Sequence, residues 1–511
     1  MKHIFKQLIC LTALLSLGCG TGLKHDDNSD IRQPAVAGQF YPADAERLTR
    51  ALDYYLEDAR PVGAVRPIAI IAPHAGYIYS GQIAADAFNQ AAGYDYDVIV
   101  ILGTNHTTAG FDGVSIFDGD GYRTPLGVAP IDRALVKALL KVDKDFTFRK
   151  SVHTREHSIE VQIPFIQRLF PGIKIVPAVI GWPDPDLCTH FGKALTNVLQ
   201  GRQALIVASS DLSHYPGYED AVAVDQTTLH AIQSLDPFEF QSTIDRQIRR
   251  GISGLSTCAC GAAPIMTAMV TARELGAGQV EIISYANSGD ALVGDRSRVV
   301  GYGAVTFLTE KNLKDNSVTR GPNTELPPRE LNSEDRQILL AFARQSIQQL
   351  LASETVPLPR DFTAALERKQ GAFVTLSKNG ELRGCIGHMG TDLPVCQVVG
   401  AMAIQAAVND RRFHPLSITE LPEIEIEISL LTLFKSIAQT EDFVPGRDGI
   451  VLKKDGHSAV YLPQVAPEQG WNRQQTLDEL CRKAGLPQGS WKKDAQLFTF
   501  QAEVFCESDF K

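Results

Sequence analysis

IAIIAPHAG (68–76) is one of three stretches that decide the fold, together with VIVILGTNH (98–106) and ALIVASSDLSH (204–214). Each begins with a short aliphatic run typical of a buried strand and ends in polar residues. Further runs of the same kind at 174–180 and 280–284 are separated by amphipathic helical patterns. This alternation predicts an α/β domain in which helices largely cover a central sheet.

The composition excludes several classes of protein. The chain has 511 residues, of which 44% are hydrophobic and 21% charged, and its formal net charge is −10. These values are ordinary for a globular protein of two to four domains and do not fit a disordered, collagen-like or mainly membrane-embedded chain. A mildly acidic chain is a poor candidate for nucleic-acid binding, and nine cysteines are too few for a disulfide scaffold.

The chain is predicted to hold two domains joined by one linker. The α/β pattern spans 33–309, and the polar, proline-containing segment 310–330 is the predicted linker. From 331 to 511 the pattern changes. A helix over 333–352 is followed by an alternating strand pattern at 423–434, which predicts an α+β domain with one solvated sheet face.

The N-terminus resembles an export signal. Basic residues precede the apolar run 8–17, which is too short to span a bilayer but long enough for a signal-peptide core. The box LSLGC resembles a bacterial lipoprotein cleavage site, so we expect residues 1–18 to be a signal peptide, Cys19 to be lipidated and 19–32 to be a tether. This predicts a cell-envelope protein anchored to the outer membrane on its periplasmic face. Ordinary secretory cleavage and an uncleaved helix are the alternatives, and a misread leader would leave the protein in the cytoplasm.

Polar side chains follow three of the predicted strands. His74 follows the first, His106 the second, and Asp211 and His214 the third. If the strands are parallel neighbours, these loops meet at one edge of the sheet, where ligands of open α/β sheets bind. Cys260 opens an apolar helix, whose dipole would stabilise a thiolate. Two imidazoles and one thiolate suit iron, copper or zinc; the alternative is that these are surface polar groups and a small packed cysteine.

A second motif needs a choice between two interpretations. His153-Thr154-Arg155-Glu156-His157 matches the H-x-x-E-H pattern of inverted zinc peptidases, in which helical spacing would place His153 and His157 on one face. We prefer the interpretation in which Glu156, His157 and Glu160 line the same crevice and orient its imidazoles, as carboxylates beside metal-bound histidines commonly do.

Seven motifs follow one another along the first domain. They are RQPAVAGQFYP (32–42), APHAGYIYSG (72–81), LGTNH (102–106), EHSIEVQIPF (156–165), SSDLSHY (209–215), CGAAPI (260–265) and YANSGD (285–290). With these motifs the domain resembles the Memo family, called AmmeMemoRadiSam system protein B in prokaryotes. The resemblance implies a fold similar to that of class III extradiol dioxygenases and a metal pocket formed by His74, His106 and Cys260, with His214 and Asp211 as further pocket residues. The extradiol enzymes have a carboxylate where this family has cysteine, which puts ring cleavage in doubt.

The segment LRGCIG (382–387) is the candidate site of the second domain. Glycines flank Cys385, and Arg383 would lower the pKa of its thiol if it folded toward it. The functional interpretation is a nucleophilic or redox cysteine with a basic neighbour. The alternative is a tight turn in which Cys385 is a small packed residue.

Six motifs follow one another along the second domain. They are LRGCIG (382–387), AAVNDRRFHPL (406–416), IEISLLT (426–432), DGIVL (448–452), YLPQVAPEQGW (461–471) and LCRKAGLP (480–487). With these motifs the domain resembles the AMMECR family, called AmmeMemoRadiSam system protein A. The resemblance implies a cleft lined by LRGCIG and a radical SAM protein as a separate partner chain. Arg411 stands where the family has a proline.

Together these features predict a fusion of the two families that binds a redox-active or Lewis-acidic metal, with iron or copper favoured over zinc. It would oxidise or modify an unknown substrate together with the radical SAM protein, with His214 and Asp211 in catalysis and with Cys385 and Arg383 in a second site. The rival hypothesis is a non-catalytic metal-handling or scaffold lipoprotein at the cell surface.

Overall fold

The computed structural model describes residues 30–309 and 331–510. The chain forms two compact units. The first contains residues 30–309 together with Ser353–Thr355, and the second contains the other residues of 331–510. The predicted signal peptide, Cys19, most of the tether and the linker lie outside the described residues. Within the described ranges, no helix is both long enough and apolar enough to cross a membrane.

The first unit contains one large sheet and one small sheet. The large sheet has the strand order β10-β11-β2-β9-β3-β8-β4-β7, and the small sheet has the order β1-β5-β6. In chain order the strands are β1 (Ile31–Arg32), β2 (Ala69–Ala72), β3 (Val98–Thr104), β4 (Val114–Ile116), β5 (Gly121–Thr124), β6 (Gly127–Pro130), β7 (Phe146–Thr147), β8 (Ile175–Ile180), β9 (Ala204–Ser209), β10 (Ala277–Asn287) and β11 (Gly301–Thr309).

Helices cover the large sheet, as the buried strand pattern predicted. Every residue of β2, β3, β8 and β9 is buried, and α2 and α9 pack against these strands. The α/β class of this domain is confirmed. Its helices are α1 (Ala45–Glu57), α2 (Tyr77–Asn89), α3 (Arg133–Leu140), α4 (Lys150–Thr154), α5 (Ile163–Leu169), α6 (Pro185–Val198), α7 (Tyr218–Ile232), α8 (Pro237–Arg249) and α9 (Ala262–Glu274).

Three parallel neighbours position the candidate site. Strand β9 lies between β2 and β3 and is parallel to both. Ala72 pairs with Ser209 across β2 and β9, so His74 and Asp211 each lie two residues beyond this pair. The carboxyl ends of all three strands therefore meet at one edge of the sheet, as the sequence predicted.

The first unit begins earlier than residue 33, where its predicted boundary lies. Ile31 and Arg32 form β1, which pairs in parallel with β5. The side chain of Arg32 is only 3% exposed. The end of the predicted tether is therefore part of the packed unit.

The second unit is α+β, as predicted. Its two antiparallel sheets have the orders β13-β12-β14-β19 and β15-β18-β16-β17. Its strands are β12 (Ala372–Lys378), β13 (Glu381–His388), β14 (Ile424–Leu431), β15 (Lys435–Ile437), β16 (Gly449–Lys454), β17 (His457–Tyr461), β18 (Gln496–Phe500) and β19 (Ala502–Cys506). Its helices are α10 (Ser333–Ser353), α11 (Val395–Val408), α12 (Val465–Glu468) and α13 (Arg473–Lys483).

Cys385 lies in the middle of a strand, so the tight turn of the alternative interpretation is wrong, whereas its structural glycine is present. It pairs with Thr375 on β12, Thr375 pairs with Glu427 on β14, and Glu427 pairs with Cys506 on β19. These four residues form one row across the sheet. Glycine is required next to Cys385, because a Cβ on Gly384 would lie 2.3 Å from the carbonyl oxygen of Ala406 in α11.

Candidate functional site

Imidazoles, a carboxylate and a thiol come together beyond β2, β3 and β9. The ligand atoms of His74, His106 and His157 all lie within 4.8 Å of one another, and so do those of His74, Asp211 and Cys260. His74 belongs to both groups and is buried, whereas the side chain of His106 is 27% exposed. The cluster is therefore anchored in the protein at His74 and opens to solvent near His106.

A chain of hydrogen bonds fixes the tautomer of His74. Its Nδ1 lies 2.9 Å from the hydroxyl oxygen of Ser209. That hydroxyl already donates its proton to the carbonyl oxygen of Ser158 at 2.6 Å and accepts a bond from the Gln162 amide at 2.9 Å. His74 must therefore donate from Nδ1, so its Nε2 carries the lone pair. This Nε2 lies 3.1 Å from the sulfur of Cys260.

Glu156 fixes the tautomer of His106. Its carboxylate accepts bonds from the His106 backbone N–H at 2.7 Å, from His106 Nδ1 at 2.9 Å and from the Ser158 N–H at 2.9 Å. Burial opposes ionisation, but the bonds and charges of its neighbours outweigh burial and lower the pKa of Glu156 to about 2. A carboxylate only accepts, so His106 donates from Nδ1 and its Nε2 is free to bind a metal.

His157 is a third imidazole of the cluster. Its ring stacks on that of His106, with centroids 4.6 Å apart, and its Nδ1 lies 3.6 Å from Glu156 Oε1. Burial and the neighbouring His74 lower the pKa of His157 to about 4, although the Glu156 charge opposes this. His157 is therefore neutral at pH 7, and its place in the cluster makes it a candidate ligand as well as an orienting residue.

Asp211 and Cys260 lie on the other side of His74. One carboxylate oxygen of Asp211 accepts the backbone N–H groups of His74 at 2.7 Å and of Ala75 at 3.2 Å, which holds the loop after β2. Cys260 lies just before α9, as predicted. However, burial and the nearby Asp211 raise the pKa of the Cys260 thiol well above its usual value. The helix terminus alone does not stabilise a thiolate here, whereas a bound cation would deprotonate the thiol.

His214 lies close enough to His74 and Asp211 for its charge to affect both of them. Its backbone N–H donates to the carbonyl oxygen of Thr257 at 3.0 Å, and the next residue, Tyr215, has a φ of 74°. The Nε2 atom of His214 is buried and has no hydrogen-bond partner among the described residues. Burial lowers the pKa of His214, so the imidazole is neutral at pH 7 and can accept a proton.

The H-x-x-E-H peptidase interpretation is not supported. Helix α4 ends at Thr154, so His153 and His157 do not share a helical face. Both ring nitrogens of His153 are occupied, since Nε2 lies 3.0 Å from the Ser115 hydroxyl and Nδ1 lies 2.8 Å from the Tyr122 hydroxyl.

Glu160, predicted to line the crevice, instead anchors the N-terminal segment. It is fully buried and pairs with Arg32. It also accepts bonds from the Ala35 N–H at 2.8 Å, the Val36 N–H at 3.1 Å and the Tyr41 hydroxyl at 2.5 Å. Its influence on the cluster is therefore indirect, through the buried Arg32, which also donates to the carbonyl oxygen of Glu156 at 2.6 Å.

Comparison with known proteins identifies a family for each unit. A family model described as "Memo-like protein" matches residues 32–306, and one described as "AMMECR1" matches 340–505. The chain belongs to the Memo family, and a Memo–AMMECR1 fusion is supported. A MEMO1 family protein of Aquifex aeolicus is 37% identical over 282 residues, which cover 54% of this chain and 99% of that protein. One of Methanothermobacter thermautotrophicus is 36% identical over 282 residues, or 53% of this chain and 98% of that protein.

Among solved structures, an uncharacterized protein from Pyrococcus horikoshii is similar to part of the chain. It is 34% identical, with a TM-score of 0.34, and the match covers 35% of this chain and 93% of that protein.

In the AMMECR1 unit, Arg383 does not reach Cys385. It forms a two-pronged pair with Glu420, at 2.9 and 3.1 Å. Three other residues bond to Cys385 instead: the Thr375 hydroxyl donates to its sulfur at 3.4 Å, Asp410 accepts its backbone N–H at 2.9 Å, and Arg412 donates to its carbonyl oxygen at 3.2 Å. Burial raises the pKa of the Cys385 thiol, although Thr375 and nearby Arg412 oppose this.

Sequence reasoning missed the residues whose hydrogen bonds orient His74 in the Memo site. Ser209 and Gln162 fix the His74 tautomer, and although both lie in the quoted motifs SSDLSHY and EHSIEVQIPF, neither side chain was singled out. It also missed Asp410 and Arg412 near Cys385, although both lie in the quoted motif AAVNDRRFHPL.

Proposed function

We propose that the Memo unit is a metal-dependent oxidoreductase site in which His74, His106 and Cys260 hold one iron or copper ion, with zinc as a possible substitute. The observation that carries the proposal is the fixed tautomer of both imidazoles, which leaves a lone pair on each Nε2, with the sulfur of Cys260 3.1 Å from the Nε2 of His74. Mixed imidazole and thiolate donors suit these ions. His106 groups with His74 and His157, and Cys260 groups with His74 and Asp211, so the proposed ligands draw on both groups through His74, and His157 and Asp211 lie close enough to take part.

The side chains around the ligands have separate tasks in this proposal. A bound ion supplies Lewis acidity and, if it is iron or copper, a route for electrons. His214 accepts and returns a proton at its unpartnered Nε2. Asp211 holds the loop that carries His74, and Glu156 keeps the His106 ring oriented.

The substrate would be modified together with a separate radical SAM protein, with Cys385 of the AMMECR1 unit as a second reactive group.

A lipid anchor at Cys19 would place the protein in the cell envelope. Globomycin-sensitive palmitate labelling of the full chain, abolished by Cys19→Ser, is the expected result for such an anchor. Labelling that is unchanged in Cys19→Ser would exclude it.

Metal analysis tests the proposal directly. The full-length protein, purified without oxygen, should contain about one iron or copper ion per chain. His74→Ala, His106→Ala and Cys260→Ser should each lose most of it. His190→Ala is the matched control, because His190 lies at the surface and pairs with Asp143. Equal metal content in all variants would show that the proposed ligands are wrong.

The same preparation separates an enzyme from a metal-handling protein. Oxygen consumption with catechol and thiol substrates should depend on His74 and should fall in His214→Ala, which leaves the proposed ligands in place. Stoichiometric metal without turnover of any of these substrates would instead favour the non-catalytic alternative.

A further inference from the structure

A cleft of about 680 Å³ lies in the Memo unit, and although no residue of the imidazole cluster lines it, the chain neighbours of two residues at the site do. Thr107 and Arg155 line it, and they are the chain neighbours of His106 and Glu156. The segment after β1 forms another wall. The cleft is therefore built on the same loops that orient the exposed imidazole of the site.

The lining combines an apolar wall with basic groups. Pro34, Val36 and Phe117 contribute apolar surface, and three basic residues line the cleft. Among the described residues, no acidic side chain lines it. A cleft with this lining favours a ligand that carries both an apolar body and a negative charge.

Arg155 is the basic group that is available to such a ligand. The charge of Arg32 is compensated by buried Glu160, and Lys150 pairs with Asp30 at 2.5 Å. The exposed guanidinium of Arg155 forms no hydrogen bond or ion pair within the described ranges. A guanidinium in this position can bind a carboxylate with two hydrogen bonds.

The hydroxyl of Thr107 is a second, independent sign of a ligand. Its Oγ1 is buried and has no partner in the part of the chain that the structure describes. An unsatisfied buried hydroxyl is costly unless something bonds to it. Rotation of the Thr107 side chain about χ1 would turn this closed-off hydroxyl toward a polar atom of a molecule seated in the cleft.

We propose that this cleft is the substrate site of the Memo unit and that it binds a small organic carboxylate with an aromatic or aliphatic body. The carboxylate pairs with Arg155, a polar atom of the ligand bonds to Thr107, and the body packs on the apolar wall. The role as a substrate site rests on the metal-dependent function proposed above, whereas binding of the carboxylate does not require the metal.

Calorimetric titration of the full-length protein tests this proposal. The probe is 3-phenylpropionate, and its uncharged counterpart is 3-phenylpropanol. The wild type should bind the anion about 10-fold more tightly than the alcohol. Arg155→Ala should remove that preference, Arg155→Lys should keep part of it, and Arg249→Ala, at an exposed position on α8, should bind like the wild type.

Thr107→Val distinguishes a binding role from a structural one. Because Oγ1 has no partner in the protein, its removal should leave the melting temperature unchanged or higher while weakening 3-phenylpropionate binding several-fold. A purely structural hydroxyl would give the opposite pattern, with a lower melting temperature and unchanged binding, and that result would overturn the role of Thr107.

The two proposals fail in different ways. Equal affinity of the wild type for the anion and the alcohol, or unchanged anion binding in Arg155→Ala, overturns the cleft assignment even if the metal is retained. His74→Ala should lose the metal and still bind 3-phenylpropionate. Metal that persists in His74→Ala overturns the metal site and leaves the carboxylate site standing.

Discussion

Replacing Glu160 with glutamine should destabilise the Memo unit strongly. The side chains of Glu160 and Arg32 are 0% and 3% exposed, so the substitution leaves a buried guanidinium without its counter-charge. Removing one member of a buried ion pair typically costs about 3–5 kcal/mol. The NH2 group of glutamine would also face the backbone N–H of either Ala35 or Val36, because these two groups donate to different oxygens of the Glu160 carboxylate. This loss is a large part of the roughly 5–15 kcal/mol that stabilises a domain.

Hydrogen exchange measures this loss in one unit at a time. Amides of β2, β3 and β9 that exchange by unfolding of the unit should exchange at least about 100-fold faster in Glu160→Gln, because each 1.4 kcal/mol corresponds to a factor of ten. Amides of the AMMECR1 unit serve as the internal reference.

Glu46→Gln is the matched control for this substitution. Its side chain is 80% exposed in a pair with Arg50 on α1, so its loss should cost no more than about 1 kcal/mol. If exchange in Glu160→Gln were no faster than in Glu46→Gln, the role of Glu160 as the anchor of the N-terminal segment would be refuted.

Three further predictions concern other parts of the chain. Burial raises the pKa of Asp225 to about 7. The folded Memo unit therefore holds a proton between about pH 4 and 7 that the unfolded chain releases, and its unfolding free energy should fall as the pH rises through this window. Denaturant titrations from pH 5 to 8 should show this slope in the wild type and not in Asp225→Asn; equal slopes would contradict it. Ser209→Ala removes the acceptor for His74 Nδ1 and should weaken metal binding about 10- to 100-fold in chelator competition; unchanged affinity would mean that the tautomer is fixed by other means. Arg412→Ala removes a cation that lowers the pKa of Cys385, so alkylation of this thiol by iodoacetamide at pH 8, followed by mass spectrometry, should slow several-fold; an equal or faster rate would argue against that electrostatic role.

The sheet could be predicted because its signal is local. Four-to-seven-residue aliphatic runs produced β2, β3, β8 and β9, and the polar residues directly after three of them marked the edge at which ligands bind. Parallel pairing then brought His74 and His106 together without any long-range information beyond the α/β pattern.

The partners of charged residues could not be predicted in this way. Arg383 lies two residues from Cys385 in sequence, yet it pairs with Glu420, 37 residues away. Arg32 pairs with Glu160, 128 residues away. Such pairs depend on the packed structure, and sequence distance carries no information about them. Glu160 was predicted to line the crevice because its distant partner, Arg32, could not be identified from the sequence.

The row that joins Cys385 to Cys506 across the AMMECR1 sheet also limits how this unit can respond to oxidation. The two thiols are separated by three strand spacings, about 14 Å, which is far beyond the reach of a disulfide within one folded chain. An oxidant would therefore have to modify them one at a time, as sulfenic acids or as mixed disulfides with small thiols. Such damage adds no internal cross-link, so a reductant that restores each sulfur would also restore the unit, whatever compartment the protein occupies.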